Sequence, residues 1–183
     1  AAHGNSLWQT WMRNRMTLDA NSSMFANWLI DIEFLSWNYN IIGNVLGSNG
    51  WETVYEAHGP QNTSGMKIIY RLGYSNFTGG WDMNANGGQP DSALAGTLVR
   101  HGNYDYVNDA VVWNPSLPHT IPISYYLTNK PRFFGSCAWP VYGPEENPTI
   151  GTLPAKDRED GTNICGTERK LLPAQAPTKL RKF

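Results

Sequence analysis

The fold class this sequence predicts is all-β: short strands wound into stacked coils, a solenoid. Three observations lead there. A seven-residue pattern (polar, two apolar, small or polar, Asn or Asp, two mostly apolar) occurs at 10–16, 40–46 and 105–111, with Asn14, Asn44 and Asp109 at the shared polar position. The 183 residues include eight Trp, nine Tyr, 18 Gly and 18 Asn, a strand-and-turn composition poor in the Lys and Glu that favour helices. No long segment has apolar residues at helical spacing, whereas short apolar runs bounded by Asn, Gly and Ser recur throughout.

In chain order the strand runs are 7–12, 28–34, 40–46, 53–55, 66–72, 93–99 and 104–113, separated by turn signals at 47–50, 58–62, 79–80 and 84–88. The first two copies of the pattern stand 30 residues apart, within the range of solenoid repeats. The third lies 65 residues further on, so an intermediate coil is expected to be irregular, with longer loops. At a coil corner the backbone leaves donors and acceptors unpaired. An Asn there can bond its own backbone and the Asn one coil above, which predicts a ladder. Asp109 departs from the pattern, and Asn108 beside it is the alternative third rung; three unrelated Asn turns would leave the same trace. The coils are expected to occupy 1–114.

Beyond Trp113-Asn114-Pro115, eight prolines from Pro115 to Pro154 remove the donors a sheet interior needs. Tyr125, Tyr126, Phe133, Phe134, Trp139 and Tyr142 are too many aromatics for free solvent. Residues 115–158 therefore read as a capping strap laid over the open end or flank of the stack, and 159–183 as an extended tail or linker. Cys137 and Cys165 could form one disulfide that staples these loops, as suits an exported chain; two separate thiols are the alternative. Asn21-Ser22-Ser23, Asn62-Thr63-Ser64 and Asn76-Phe77-Thr78 match the N-glycosylation pattern, as an Asn-rich chain does by chance.

The length fits a single domain. Charged residues are only 16% and the net charge is −1, so no footprint for nucleic acid or an anionic membrane is present. No run of about 18 apolar residues predicts a membrane-inserted helix. The start, Ala1-Ala2-His3-Gly4, has neither an initiator Met nor a signal peptide and reads as processed or truncated.

The stretches Arg100-His101-Gly102-Asn103-Tyr104-Asp105-Tyr106-Val107, Val111-Val112-Trp113 and Ile121-Pro122-Ile123-Ser124-Tyr125-Tyr126-Leu127-Thr128-Asn129-Lys130-Pro131-Arg132-Phe133-Phe134-Gly135 resemble the C-terminal part of bacterial right-handed parallel β-helix repeat proteins, in the pectate-lyase-like superfamily. Trp139-Pro140, Gly143-Pro144 and Gly151-Thr152-Leu153-Pro154-Ala155-Lys156 continue the likeness, which covers residues 1–158. It implies a right-handed parallel β-helix with three short sheets per turn, an exposed groove along one sheet, and further coils upstream of His3-Gly4. The tail segment 176–181 resembles the start of a fibronectin-like module. No catalytic residue transfers from the family position by position.

Superfamily members that cleave acidic polysaccharides use a basic residue as proton acceptor, with Ca²⁺ or a second base stabilising the developing charge; hydrolases use paired carboxylates. Asp31 and Glu33 alternate along one strand and could form such a pair if that face is outward; a solvated strand face is the favoured alternative. Lys67 and Arg71 flank Ile68-Ile69-Tyr70, and Arg100-His101 precede Asp105, so these five are the catalytic candidates. An Arg100–Asp105 ion pair and a His101 satisfied by turn carbonyls is the alternative. Trp37, Trp51, Trp81 and Asp82 are the candidate sugar contacts, because aromatic faces suit sugar C–H surfaces; rings that plug coil ends or pack under the strap are the alternative. No zinc site is expected, and calcium is the one ion left open. The expected function is an exported, cell-surface or extracellular, carbohydrate-associated protein that binds or processes a polysaccharide. The alternative is a structural or adhesive subunit of a virion or surface filament, partnered by upstream coils or identical subunits.

Overall fold

The computed structural model describes residues 6–18, 27–59, 61–74, 90–146 and 149–166. The strands are β1 (Thr10–Met12), β2 (Arg15–Met16), β3 (Trp28–Ile32), β4 (Asn40–Ile42), β5 (Val45–Leu46), β6 (Val54–His58), β7 (Ile68–Leu72), β8 (Val99–His101), β9 (Asn103–Asp105) and β10 (Ala110–Val112), followed by helix α1 (Pro154–Asp160). They form three small sheets, ordered β1-β4-β8, β10-β9-β5-β2 and β3-β7-β6.

This corrects the all-β, right-handed parallel β-helix expectation: the sheets mix parallel and antiparallel pairs, no solenoid closes among the described residues, and a helix is present. Two features break the winding. All five residues of β7 are buried, so this strand needs neighbours on both sides and takes the central place between β3 and the later-paired edge strand β6, out of chain order. β10 then folds back antiparallel on β9 instead of starting another coil. Asp105 accepts the N–H groups of Val107 (3.0 Å) and Asn108 (2.8 Å) and Asn108 Nδ2 (2.9 Å), which closes that hairpin turn. In α1, Pro154 occupies the first turn, where its missing N–H costs nothing; Lys156 reaches Asp160 at 2.6 Å, and Gly161 at φ 72° ends the helix.

The amide ladder forms with a different third member. Oδ1 of Asn44 accepts the backbone N–H (2.9 Å) and Nδ2 (3.1 Å) of Asn14, and Oδ1 of Asn103 accepts the same two groups of Asn44, both at 2.9 Å. Nδ2 of Asn44 also donates to Trp11 O, and that of Asn103 to Ile41 O. The preceding residue has positive φ in each case: Arg13 54°, Gly43 63°, Gly102 63°. The repeated unit is thus a left-handed residue followed by Asn. Asp109 and Asn108 belong to the β9–β10 hairpin, where Asp109 accepts the Tyr104 hydroxyl.

Ile30, Ile32, Tyr39, Ile41, Leu46, Ile69, Tyr70, Leu72 and Leu94 make one core between the sheets. The strap runs down the corner column. A Cβ on Gly102 would stand 2.4 Å from Ile121 Cδ1 and 2.7 Å from Trp113 Cζ3, so glycine is required there by contact as well as by φ. At the first corner, Arg13 donates to Pro122 O (3.0 Å), Ile121 O (3.5 Å) and Tyr142 O (3.0 Å) and pairs with both oxygens of Glu145 (2.5 and 2.9 Å). Cys137 and Cys165 are joined in a disulfide. Beside it, buried Asp157 accepts Thr162 Oγ1 (2.5 Å) and the N–H groups of Ile164 (2.6 Å) and Cys165 (3.0 Å), fixing the segment that carries Cys165.

Candidate functional site

Each of the five catalytic candidates is engaged by its own partner. Arg71 on β7 lies in register with Asp31 on β3, and its Nη1 binds both Asp31 oxygens at 2.9 and 3.0 Å. Its guanidinium stacks 3.9 Å from the Trp28 ring centre and 3.8 Å from that of Tyr74. Burial raises the Asp31 pKa above its ordinary value, despite the opposing charge and hydrogen bonds of Arg71. The neighbouring carboxylate of the expected hydrolytic pair, Glu33, is fully buried.

Lys67 sits 3.6 Å above the Trp51 ring. Arg100 pairs with Glu56 rather than with Asp105, and Glu56 also contacts His58 Nε2. Arg100 and Asp105 do converge on Tyr55: burial raises that phenol's pKa, with Arg100 lowering it and Asp105 raising it further. Tyr70, edge-on to Tyr55, is pushed well above the usual phenol range by burial. Asp105 holds the hairpin turn. His101 is buried edge-on against Trp113, its ring centre 4.9 Å away and Nε2 3.3 Å from Thr120 O. Each of the five thus has a partner within the fold: an ion pair for Arg71 and Arg100, a ring contact for Lys67 and His101, and a turn for Asp105. Among the described residues, no group of three or more His, Cys, Asp or Glu is arranged to hold a metal ion.

Of the sugar-contact candidates, Trp37 donates its indole N–H to Asp91 Oδ2 at 2.6 Å, and Trp51 has a ring face under Lys67. Trp81 and Asp82 lie outside the described residues. Asp91 carries no obvious motif, yet it joins two loops: its oxygens also accept the N–H groups of Leu35 and Ala93, and its own N–H donates to Gly73 O.

The aromatic surface lies elsewhere, between the first corner and the strap. A groove of about 430 Å³ is lined by residues 10–14 and 123–126. Tyr126 is 94% exposed, Tyr125 54% and Ile123 50%, while Trp11 is anchored edge-on against Tyr39 at 5.4 Å. Ser124 Oγ accepts the N–H groups of Tyr126 and Leu127, both at 3.1 Å, a local turn that holds the two tyrosines on the outside.

No family model, curated protein or solved structure matches this chain. An apolar floor, two outward phenol rings and a rim of hydroxyl and amide groups can bind a polyhydroxylated ligand. The groove lining contains no carboxylate, histidine or lysine to act as acid or base.

The sequence counts Tyr125 and Tyr126 among strap aromatics too numerous for free solvent, whereas both rings are exposed. The Ser124-x-Tyr126 turn is the local signal that could have placed them outside.

Proposed function

We propose that this is an exported, carbohydrate-associated protein that binds a polysaccharide in the Trp11–Tyr125–Tyr126 groove. The observation that carries the reading is the exposure of the paired Tyr125 and Tyr126 rings beside a polar-rimmed groove. Solvent-facing rings of this size provide stacking platforms for sugar C–H faces, and hydroxyls at the rim give orientation. The Cys137–Cys165 bridge supports work in an oxidising compartment. Because Arg71 and Arg100 are held in ion pairs, Asp105 in a turn, and Lys67 and His101 against indole rings, the expected activity is binding without cleavage. A glycan array plus an assay for reducing ends and unsaturated products tests it: retention of at least one polysaccharide without product is expected, and absence of retention overturns the reading.

A second reading, a structural or adhesive subunit, is favoured by the sheet ends. β1, β2 and β3 each stand at the end of a sheet, and exposed Leu7 and Trp8 lie beside β1. Light scattering distinguishes the two: an ordered assembly that blocks the groove supports the subunit role, and a glycan-binding monomer counts against it.

A further inference from the structure

Resting on the glycan-binding reading, we infer that the groove selects neutral rather than acidic sugars. Its lining contains one charged side chain, Arg13, and that guanidinium is already committed. Nε donates to Pro122 O at 3.0 Å. Nη1 donates to Tyr142 O at 3.0 Å and Glu145 Oε2 at 2.9 Å, and Nη2 to Glu145 Oε1 at 2.5 Å and Ile121 O at 3.5 Å. These five contacts match the five N–H groups a guanidinium possesses. The side chain is only 8% exposed, and a Cβ on Gly143 would come within 2.3 Å of Nη1, so the strap also closes around it. Glu145 neutralises the charge. A uronate carboxylate entering this groove would give up part of its hydration without gaining a cation, and desolvating a charge without a partner is disfavoured.

The remaining polar groups suit hydroxyls. Thr10 Oγ1 accepts Asn40 Nδ2 at 3.1 Å and retains its own O–H as a donor. Ser124 Oγ accepts two backbone N–H groups and likewise keeps its hydroxyl hydrogen. Asn14 gives Nδ2 to the ladder and retains an amide oxygen as acceptor. The two tyrosine hydroxyls add groups that both donate and accept. Sugar hydroxyls do the same, so neutral partners of this kind can satisfy them without any net charge transfer from water. Binding that depends on stacking and neutral hydrogen bonds is insensitive to salt, whereas an ion-pair mode weakens as salt screens it.

The experiment is calorimetric titration of the full chain with neutral oligosaccharides (β-glucan, xylan and mannan fragments) and with oligogalacturonate and oligoalginate, at low and high salt. The expected result is binding of a neutral ligand, unchanged by salt and weakened about tenfold by Tyr126→Ala or Tyr125→Ala, the loss expected for one stacked ring. Tyr126 is 94% exposed, and unchanged circular dichroism of the variants will verify that the loss is local. Salt-sensitive preference for the uronates overturns this inference while leaving the glycan-binding reading standing. Binding of neither class overturns both. Neutral binding that neither tyrosine variant weakens also overturns the inference, because it moves the ligand off this groove.

Discussion

The corner ladder and the strap hold their chains in place by different means. At the corner, Asn14, Asn44 and Asn103 repeat one hydrogen-bond geometry, and every group involved is an uncharged amide. The strap has no repeat. It is fastened at separate points: Ile121 on the corner glycines, Arg13 on Glu145, the Cys137–Cys165 bridge, and Asp157 on the segment before Cys165. Periodic neutral bonds make the stack one cooperative unit, whereas scattered tethers allow the strap to loosen in parts.

The largest effect is expected at the centre of the ladder. Asn44→Ala removes bonds on both sides of a fully buried position and leaves backbone groups unpaired, at a cost of about 4 kcal/mol. Urea unfolding measures it; a loss confined to the strap signal would break the comparison. Next is Gly102→Ala, which combines a left-handed φ with the Ile121 and Trp113 contacts and should cost about 3 kcal/mol. Gly50→Ala is the control: its φ is 73° but nothing lies within 4 Å, so about 1 kcal/mol is expected. Equal costs for the two would show that strap contact contributes nothing at the corner.

Replacing both Cys137 and Cys165 by Ser opens a loop closed across 28 residues and should cost the strap about 2 to 3 kcal/mol. Limited proteolysis should then cut after residue 115 while strand amides stay protected from hydrogen exchange. Simultaneous loss of strand protection would mean that strap and stack are one unit.

The smallest effect is that of pH. Burial works against Glu145, yet the Arg13 bonds and its own backbone N–H hold its pKa below the ordinary carboxylate value. For Asp157 the Thr162 hydroxyl lowers the pKa most, burial opposes it, and the N–H groups of Cys165 and Ile164 add to the lowering. A folded pKa below the unfolded one gives stability that is present above the unfolded value of about 4 and is lost as pH falls through the folded value. Acid should therefore loosen the strap, seen by near-ultraviolet dichroism, before it affects the far-ultraviolet strand signal, because the ladder amides do not titrate. At the alkaline side Tyr104 is raised to about 12, first by its bond to Asp109 and then by burial. That contribution is present below a pH of about 10 and fades as pH approaches about 12. Coincident acid transitions would contradict separate fastening.

The 30-residue offset between Asn14 and Asn44 was legible because corner chemistry is local: a left-handed residue, then an amide beside unpaired backbone groups. The third rung was misread. The apolar pattern around residues 105–111 mimics the first two copies, whereas the shared Gly43-Asn44 and Gly102-Asn103 pairs were the better signal. The candidate cations were visible as residue types, but their partners Asp31 and Glu56 are 40 and 44 residues away in sequence, beyond any local rule.

By itself, the sequence determined short strands, turn-rich connections and an amide ladder at two corners, since these follow from backbone sterics and side-chain hydrogen bonding over a few residues. Only the tertiary structure decided that β7 takes the centre of its sheet, that β10 turns back, that Arg13 is neutralised by Glu145, and that Tyr125 and Tyr126 face solvent. Each depends on which distant surfaces meet, and burial is a property of the packed chain rather than of any segment in it.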